Sequence, residues 1–472
     1  MERITTDILV IGAGSGGLSV AAGAAQMGAR VVLLEGGEMG GDCLNYGCVP
    51  SKALIASAKA AHAQAGAAPY GIAPVTPQVD YAAAMEHVRG VIAAIAPVDS
   101  QERFEGLGVR VIRDWGRFVS DREVEAGETR IRARRIVIAT GSSPLVPGVP
   151  GLDGVPYLTN ETLWSLRERP GHLLILGGGP IGMEMAQAHR RLGCEVTVIE
   201  GARALGREDP EAAVLVLARL RQEGVRIEEG ARVSQVSGGA GEVTIETEGG
   251  ERITGTHLLV AAGRRSNTER LNLEAAGIET SRTGIKVDDR LRSSNRRVHV
   301  IGDAAGGAQF THLAGYHAGI VIRSMLFGLP ARAGTAHIPR ATYTDPEIAQ
   351  VGLTEDEARE RHGDRLEIAR SDYGHNDRAQ ADRETAGFIK VMAVRGRPVG
   401  VTIAGHQAGE HIAIWSLAIS AKLKLSHVSG MVAPYPTYSE LGKRAAGAYF
   451  SPKLFDNRNV KRVVRAVQRL LP

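Results

Sequence analysis

A pattern that occurs twice at one spacing constrains this chain most. An apolar run, Asp7-Ile-Leu-Val-Ile11, meets Gly12-Ala-Gly-Ser-Gly-Gly17, and a small-residue segment runs on through Ala29. A second apolar run, Val31 to Leu34, then stops at Glu35. Later, Leu173 to Leu176 meets Gly177-Gly-Gly-Pro-Ile-Gly182, and Met183 to Leu192 leads to Val196–Ile199 and Glu200. From Gly12 to Glu35, and from Gly177 to Glu200, the spacing is 23 residues in both copies. Short apolar runs bounded by glycine predict buried parallel strands, with helices between them. Glycines at 12, 14 and 17, and at 177, 179 and 182, permit a tight turn, close approach of a pyrophosphate, and contact of helix on strand. The helix N-terminus beyond each turn offers free N–H groups to an anion. Glu35 and Glu200 stand where an acid accepts from both ribose hydroxyls. A glycine-rich surface loop is the bland alternative. Two such turns in matched context predict two dinucleotide sites.

At 472 residues the chain exceeds one core, and about 100–200 residues per domain suggests roughly three. Between the copies an apolar strand closes in Ala139-Thr-Gly-Ser142, and the turn-rich stretch Ser143 to Gly154 reads as a crossing between domains. Leu258 to Gly263 closes the second copy, and Val298 to Ile301 breaks at Gly302-Asp303. Beyond Ile338 alternating strands, Phe388–Met392 and Val399–Ile403, mix with amphipathic helices as in an α+β domain. The expected fold is therefore α/β, with two Rossmann-like dinucleotide-binding domains and a C-terminal α+β domain. The expected division is 1–148 and 266–337 for the first nucleotide, 149–265 for the second, and 338–472 for the last domain.

Charge and composition exclude other classes. A formal charge of +4 and 4% aromatic residues leave little for stacking nucleic-acid bases, so nucleic acid is not an expected partner. No apolar run reaches the 18 or so residues of a membrane span. Glu2 and Asp7 stand where an export signal needs positive charge, so the expected compartment is the cytoplasm. There, closely spaced cysteines are catalytic or metal-binding more often than structural.

The chain has three cysteines, and Cys43 and Cys48 are five apart in Gly40-Gly-Asp-Cys43-Leu-Asn-Tyr-Gly-Cys48-Val-Pro-Ser-Lys52. On an ideal helix such a pair has Cα atoms roughly 8.6 Å apart, beyond the ~7 Å reach of a disulfide. A disulfide here requires a distorted helix, which Gly47 and Pro50 would allow. A strained, easily reduced bond beside Lys52 and a helix N-terminus suits redox catalysis. Two unrelated buried thiols are the alternative. Zinc lacks the further ligands it needs, so no metal site is expected. Cys194, between a helix and a buried strand, reads as core. A carboxylate at Glu200 would repel a 2′-phosphate and favours NADH over NADPH, which Arg203 and Arg207 would soften.

The cysteine segment closely resembles the redox motif of class I pyridine nucleotide–disulfide oxidoreductases, the family of dihydrolipoyl dehydrogenase, glutathione reductase and mercuric reductase. The resemblance extends to both glycine motifs, Ala139-Thr-Gly-Ser142, Gly263-Arg264, Gly302-Asp303 and Pro434-Tyr-Pro-Thr-Tyr-Ser-Glu440. It implies an FAD-dependent NAD(P)H:disulfide oxidoreductase, a homodimer acting on a small-molecule or protein-bound disulfide. Cys48 would contact the flavin and Cys43 would face substrate. Lys52 would lie beside the flavin and pair with Glu184. Gly116, Thr140, Ser142 and Asp303 would bind other parts of FAD, while Val233 and Gly263 would line the nicotinamide nucleotide. Asp42 departs from the family's threonine, and its charge would oppose a thiolate at Cys43.

A second departure bears on substrate. Disulfide reductases of this family carry a His–Glu pair reaching across the dimer; here the positions hold Tyr435 and Glu440. A tyrosine near 10 passes a proton to a thiolate near 8.5 only uphill, and about one phenolate per thousand exists at pH 7. Dihydrolipoamide oxidation, which needs a base, is expected to be slow. Mercuric reductases carry tyrosine at this place, which makes a metal-ion reductase the alternative, although Arg469-Leu-Leu-Pro472 lacks their paired cysteines. His312, His317, His406 and His411 are the other candidates for the missing histidine. The final segment, Asn459 to Leu471, reads as a basic amphipathic helix. Such helices ordinarily pack on their own protein; the alternative is a flavin redox module docked to a membrane or partner.

Overall fold

In the computed structural model, which describes residues 1–471, the chain divides into two compact units. The first joins Met1–Ala202 with Val225–Ala333, and the second joins Arg203–Gly224 with Gly334–Pro472.

The first unit is built on parallel strands. Arg110–Ile112, Val31–Leu34, Glu2–Ile11 and Thr129–Ile138 lie side by side in that order, and Val298–Val300 also pairs with Thr129–Ile138. Glu123–Ala126 and Gly116–Phe118 continue the sheet antiparallel. Along Glu2–Ile11 the side chains alternate faces: Leu9 and Ile11 enter one hydrophobic cluster, Ile8 and Val10 another. Burial on both faces explains the uninterrupted apolar run. A second parallel sheet orders Arg226–Glu229, Glu195–Glu200, His172–Leu176 and His257–Val260. Each glycine turn sits between its strand and a helix, Ser15–Gln26 in one copy and Pro180–Arg191 in the other. Cys194 is fully buried, as expected.

The second unit carries an antiparallel sheet ordered Pro339–Thr342, Glu347–Gly352, Arg397–Gly405, Phe388–Val394 and Leu366–Asp372. Helices Ala408–Ser420 and Ser439–Ala448 bury Trp415, Leu441 and Ala445 against it. Helix Pro210–Gln222 belongs to this unit, although the sequence places it inside the second nucleotide-binding segment. Lys390, nearly buried, binds Asp209 at 2.8 Å and Glu355 at 2.9 Å, which ties the start of that helix to the sheet. With Glu211 at 3.5 Å, three carboxylates around one buried ammonium compensate its desolvation.

The last helix, Arg458–Leu470, corrects an expectation. It starts at Asn457, whose side chain accepts from the backbone N–H groups of Asn459 and Val460. None of its residues is buried; Val460 is partly covered, while Val463, Val464, Val467 and Leu470 on the same face are exposed. No helix among the described residues is long and apolar enough to cross a membrane.

Candidate active site

The helix carrying Cys43 breaks where the sequence demanded it. Helix Gly41–Asn45 ends, Tyr46 and Gly47 leave helical geometry, and helix Cys48–Ala65 begins at the second cysteine. A Cβ on Gly47 would lie 2.9 Å from Asp42 Oδ2, 3.1 Å from Asp42 O and 3.4 Å from Cys43 Cα, so the return leaves little room for a side chain. Pro50 lies in the first turn of the new helix, where its missing N–H costs nothing. The break orphans the Tyr46 carbonyl, which accepts instead from Trp164 Nε1 at 2.9 Å and Asn160 Nδ2 at 3.3 Å. A parallel bridge between Gly14 and Gly40 holds the segment against the first glycine turn.

Cys43 and Cys48 are unbonded thiols close enough to share a hydrogen bond. That bond lowers the Cys48 thiol to about 6, against the opposing effect of burial. Thr311 Oγ1, 3.4 Å from Cys48 Sγ, and the Lys52 charge add to the lowering. Cys43 moves the other way: its bond to Cys48 and its burial push it strongly up. These opposite shifts favour the thiolate at Cys48, at the N-terminus of an 18-residue helix, and the proton at Cys43. Lys52 Nζ lies 2.7 Å from Glu184 Oε2, one turn into the same helix and within the helix of the second glycine turn.

Both glycine turns fit a dinucleotide. A Cβ on Gly12 would come 2.4 Å from Ala139 O, and one on Gly17 1.9 Å from Gly12 O; one on Gly14 would meet nothing within 4 Å. The second turn repeats this: 2.4 Å from Ala261 O for Gly177, 2.1 Å from Gly177 O for Gly182, nothing for Gly179. Outer glycines thus serve the chain's own packing, and the middle one faces open space that a diphosphate could enter. The acids match as well. Glu35 accepts from Ala13 N at 2.6 Å and Gly37 N at 2.7 Å; Glu200 accepts from Gly178 N at 2.7 Å and Ala202 N at 2.8 Å. Each carboxylate is locked beside its turn with further lone pairs to offer.

Other predicted residues gather around Asp303. Ser142 Oγ donates to Asp303 Oδ2 at 2.5 Å, and Arg264 Nε donates to Ser142 Oγ at 2.8 Å. Burial raises the Asp303 carboxyl, while Ser142 and Arg264 oppose that rise. Arg264 also pairs with Asp42 at 3.0 Å, so the acid that replaces threonine is neutralised by a nearly buried guanidinium. Thr140 Oγ1 donates to Asn267 O at 2.7 Å. Gly116 is walled in by Leu34 and Val124. Gly263 has φ +138° beside the second turn, and Val233 opens a strand whose side chains pack around Ile245.

In the second unit Tyr435 Oη donates to Asp377 Oδ2 at 2.9 Å, not to Glu440, and that bond raises the phenol. Glu440 Oε2 is buried with no hydrogen-bond partner among the described residues. Three of the other candidate histidines have contacts of their own. His411 is pushed down to about 4 by burial and by His406, and it lines a cavity of about 100 Å³ with Trp415 and Tyr438. His317 Nδ1 accepts from Gly302 N at 3.2 Å, and His312 stacks on Phe310. Sequence reasoning missed Thr311 and Asp377. Only the position of Thr311 at the start of helix Thr311–Phe327 could have drawn attention to it.

Comparison with known proteins agrees with this geometry. The family described as Pyridine nucleotide-disulphide oxidoreductase matches residues 6–318, and its dimerisation domain matches residues 338–446. A mercuric reductase of Streptomyces lividans is 34% identical over 94% of this chain and 96% of its own length. A dihydrolipoyl dehydrogenase of Bacillus subtilis is 33% identical over 92% and 96%. Among solved structures, the Cu(II) complex of the HOCl-induced flavoprotein disulfide reductase RclA from Escherichia coli superposes with a TM-score of 0.83. That chain is 29% identical, with 94% of this chain and 99% of that one covered.

Proposed function

Because this chain belongs to the pyridine nucleotide–disulphide oxidoreductase family, whose members use FAD and NAD(P)H, we propose that it reduces a disulfide through Cys43 and Cys48. The observation that carries the reading is the thiol pair itself, held at a broken helix with Cys48 opening the second segment beside Thr311. Gly12, Gly14, Gly17, Glu35, Lys52, Gly116, Thr140, Ser142 and Asp303 would hold FAD. Gly177, Gly179, Gly182, Glu200, Val233 and Gly263 would hold the nicotinamide nucleotide, with NADH favoured by the locked Glu200 carboxylate. Residues 1–148 and 266–337 form the FAD domain in this reading, 149–265 the nicotinamide domain, and 338–472 the interface of a homodimer. A dithiol of this kind suits the cytoplasm.

FAD held by those residues would supply the two-electron relay between the nicotinamide and the Cys43–Cys48 disulfide. The S–S bond breaks, the one proton that accompanies the nicotinamide's electron pair stays on Cys43, and Cys48 is left as the thiolate. Lys52 places positive charge beside the Cys48 thiolate, and Glu184 keeps that ammonium oriented. Cys43, facing substrate, must give up its proton before it attacks an acceptor disulfide. Anaerobic NADH should render Cys43 and Cys48 alkylatable, read by mass spectrometry, in amounts equal to the nicotinamide oxidised. NADH consumption with both cysteines still joined would overturn the assignment.

A metal-ion acceptor is the second reading, favoured by Tyr435 in place of histidine. A soft cation held by thiolates needs no proton delivered to a leaving thiol. Turnover with Hg(II) or Cu(II) that survives in Cys43→Ala would dispose of it.

A further inference from the structure

We propose that helix Arg458–Leu470 is a docking surface for an anionic lipid bilayer. At about 100° per residue, Val460, Val463, Val464, Val467 and Leu470 fall within an arc of about 120°. Arg458, Lys461, Arg462, Arg465 and Arg469 fall within about 100° on the opposite side. The helix holds five cations and no acid. Its large apolar residues from Val463 to Leu470 are between 39% and 82% exposed, and Leu454 and Phe455 just before it are exposed too.

Two physical arguments select the occupant. A 13-residue helix that buries nothing is marginal in water, because most helical stability in proteins comes from packing an amphipathic face. This helix therefore needs a surface from outside its own chain. The same helix of a second copy, packed face to face, would cover the valines yet bring five cations towards five with no carboxylate between them. An anionic membrane answers both faces: the apolar arc enters the boundary of the acyl region, and long arginine and lysine side chains reach up to lipid phosphates. Each such cation near a negative surface strengthens attachment, so the group acts as one electrostatic anchor. The surface lies outside the redox residues, and the inference stands whatever the acceptor is.

The test uses the full-length holoprotein and two variants, V464D/V467D and R462E/R465E. Because these positions contact nothing buried, thermal unfolding midpoints of both variants should match the native protein. Co-sedimentation with vesicles of phosphatidylcholine plus phosphatidylglycerol should show native protein pelleting at low salt and released at high salt. Vesicles of phosphatidylcholine alone should retain at least about tenfold less, and each variant should partition at least about tenfold less than native. Absence of native binding to the anionic vesicles, or equal pelleting by native protein and both variants, overturns the proposal. So does a fall in the sedimentation mass of V464D/V467D relative to native without vesicles, which would assign the face to a second copy.

Discussion

The hydrogen bond between Cys43 and Cys48 is the largest influence on the Cys48 thiol, and replacing Cys43 with alanine removes it. Losing a donor destabilises the thiolate, so the titration of Cys48 must move upward. The scale follows from the structure. At about 6, Cys48 is about 90% thiolate at pH 7; at the ordinary value of 9.0 it would be about 1%, a ratio of about 90. Reaction rate does not fall by that ratio. A more basic thiolate is also more nucleophilic, with a Brønsted slope of about 0.4–0.5, which over three pH units returns a factor of about 15–30. The net loss at pH 7 is then only about 3–6-fold at most.

A single-pH rate is therefore a poor witness, and the midpoint of the pH profile is the better one. The assay is carbamidomethylation of Cys48 in reduced, flavin-free protein from pH 4.5 to 9.5, quantified by mass spectrometry. Native protein should give a midpoint near 6. C43A should shift it upward by at least about one pH unit, the size expected when a thiolate loses a hydrogen bond. T311V should shift it less, because Thr311 is the smaller donor. A midpoint unmoved in C43A would refute the assignment and leave Lys52 and the helix N-terminus as the source.

Other expectations follow from the same geometry. Gly17→Ala and Gly182→Ala place a Cβ at 1.9 Å and 2.1 Å from backbone oxygen, and should lower stability by about 1–3 kcal/mol in thermal unfolding. Gly14→Ala, with nothing within 4 Å, should keep the native midpoint yet retain less flavin after dialysis. Glu200→Ser removes the charge that opposes a 2′-phosphate and should shift the NADPH-to-NADH ratio of kcat/KM at least about tenfold towards NADPH. Tyr435→His replaces a phenol raised by Asp377 with a group largely neutral and basic at pH 7; dihydrolipoamide oxidation should rise at least about tenfold. No rise would mean that the substrate pocket itself has changed.

How much of this was legible depends on how far apart the cooperating residues lie. Glycine turns, their acids and the helix break at Gly47 are local devices, so spacing alone exposes them. Lys52 and Glu184 are 132 positions apart and meet only through the fold, and the resemblance to a family supplied that pair. Thr311 lies 263 positions from Cys48, and a threonine opening a helix carries no mark of its partner. Periodicity identified the last helix but could not reveal that most of its apolar face is left exposed by its own chain. The sequence also could not show helix Pro210–Gln222 joining the second unit, because the buried Lys390 that anchors it lies 181 positions beyond Asp209.

In the proposed reading, the two departures from the family bear on one proton. Asp42 adds its charge to the influences that keep Cys43 protonated, although Arg264 takes up most of that charge at 3.0 Å. Tyr435, bound to Asp377, is a weaker base than the histidine it replaces. Asp42 opposes ionisation of Cys43 and, to a smaller extent than the opposing contacts, of Cys48. If the departures are coupled, restoring one alone should do less than restoring both. Asp42→Thr with Tyr435→His should then exceed the product of the single gains in dihydrolipoamide oxidation, since only the double variant has both an ionisable Cys43 and a base to receive its proton. Gains that simply multiply would show that the two positions act independently, and no gain from Asp42→Thr alone would show that Arg264 silences Asp42.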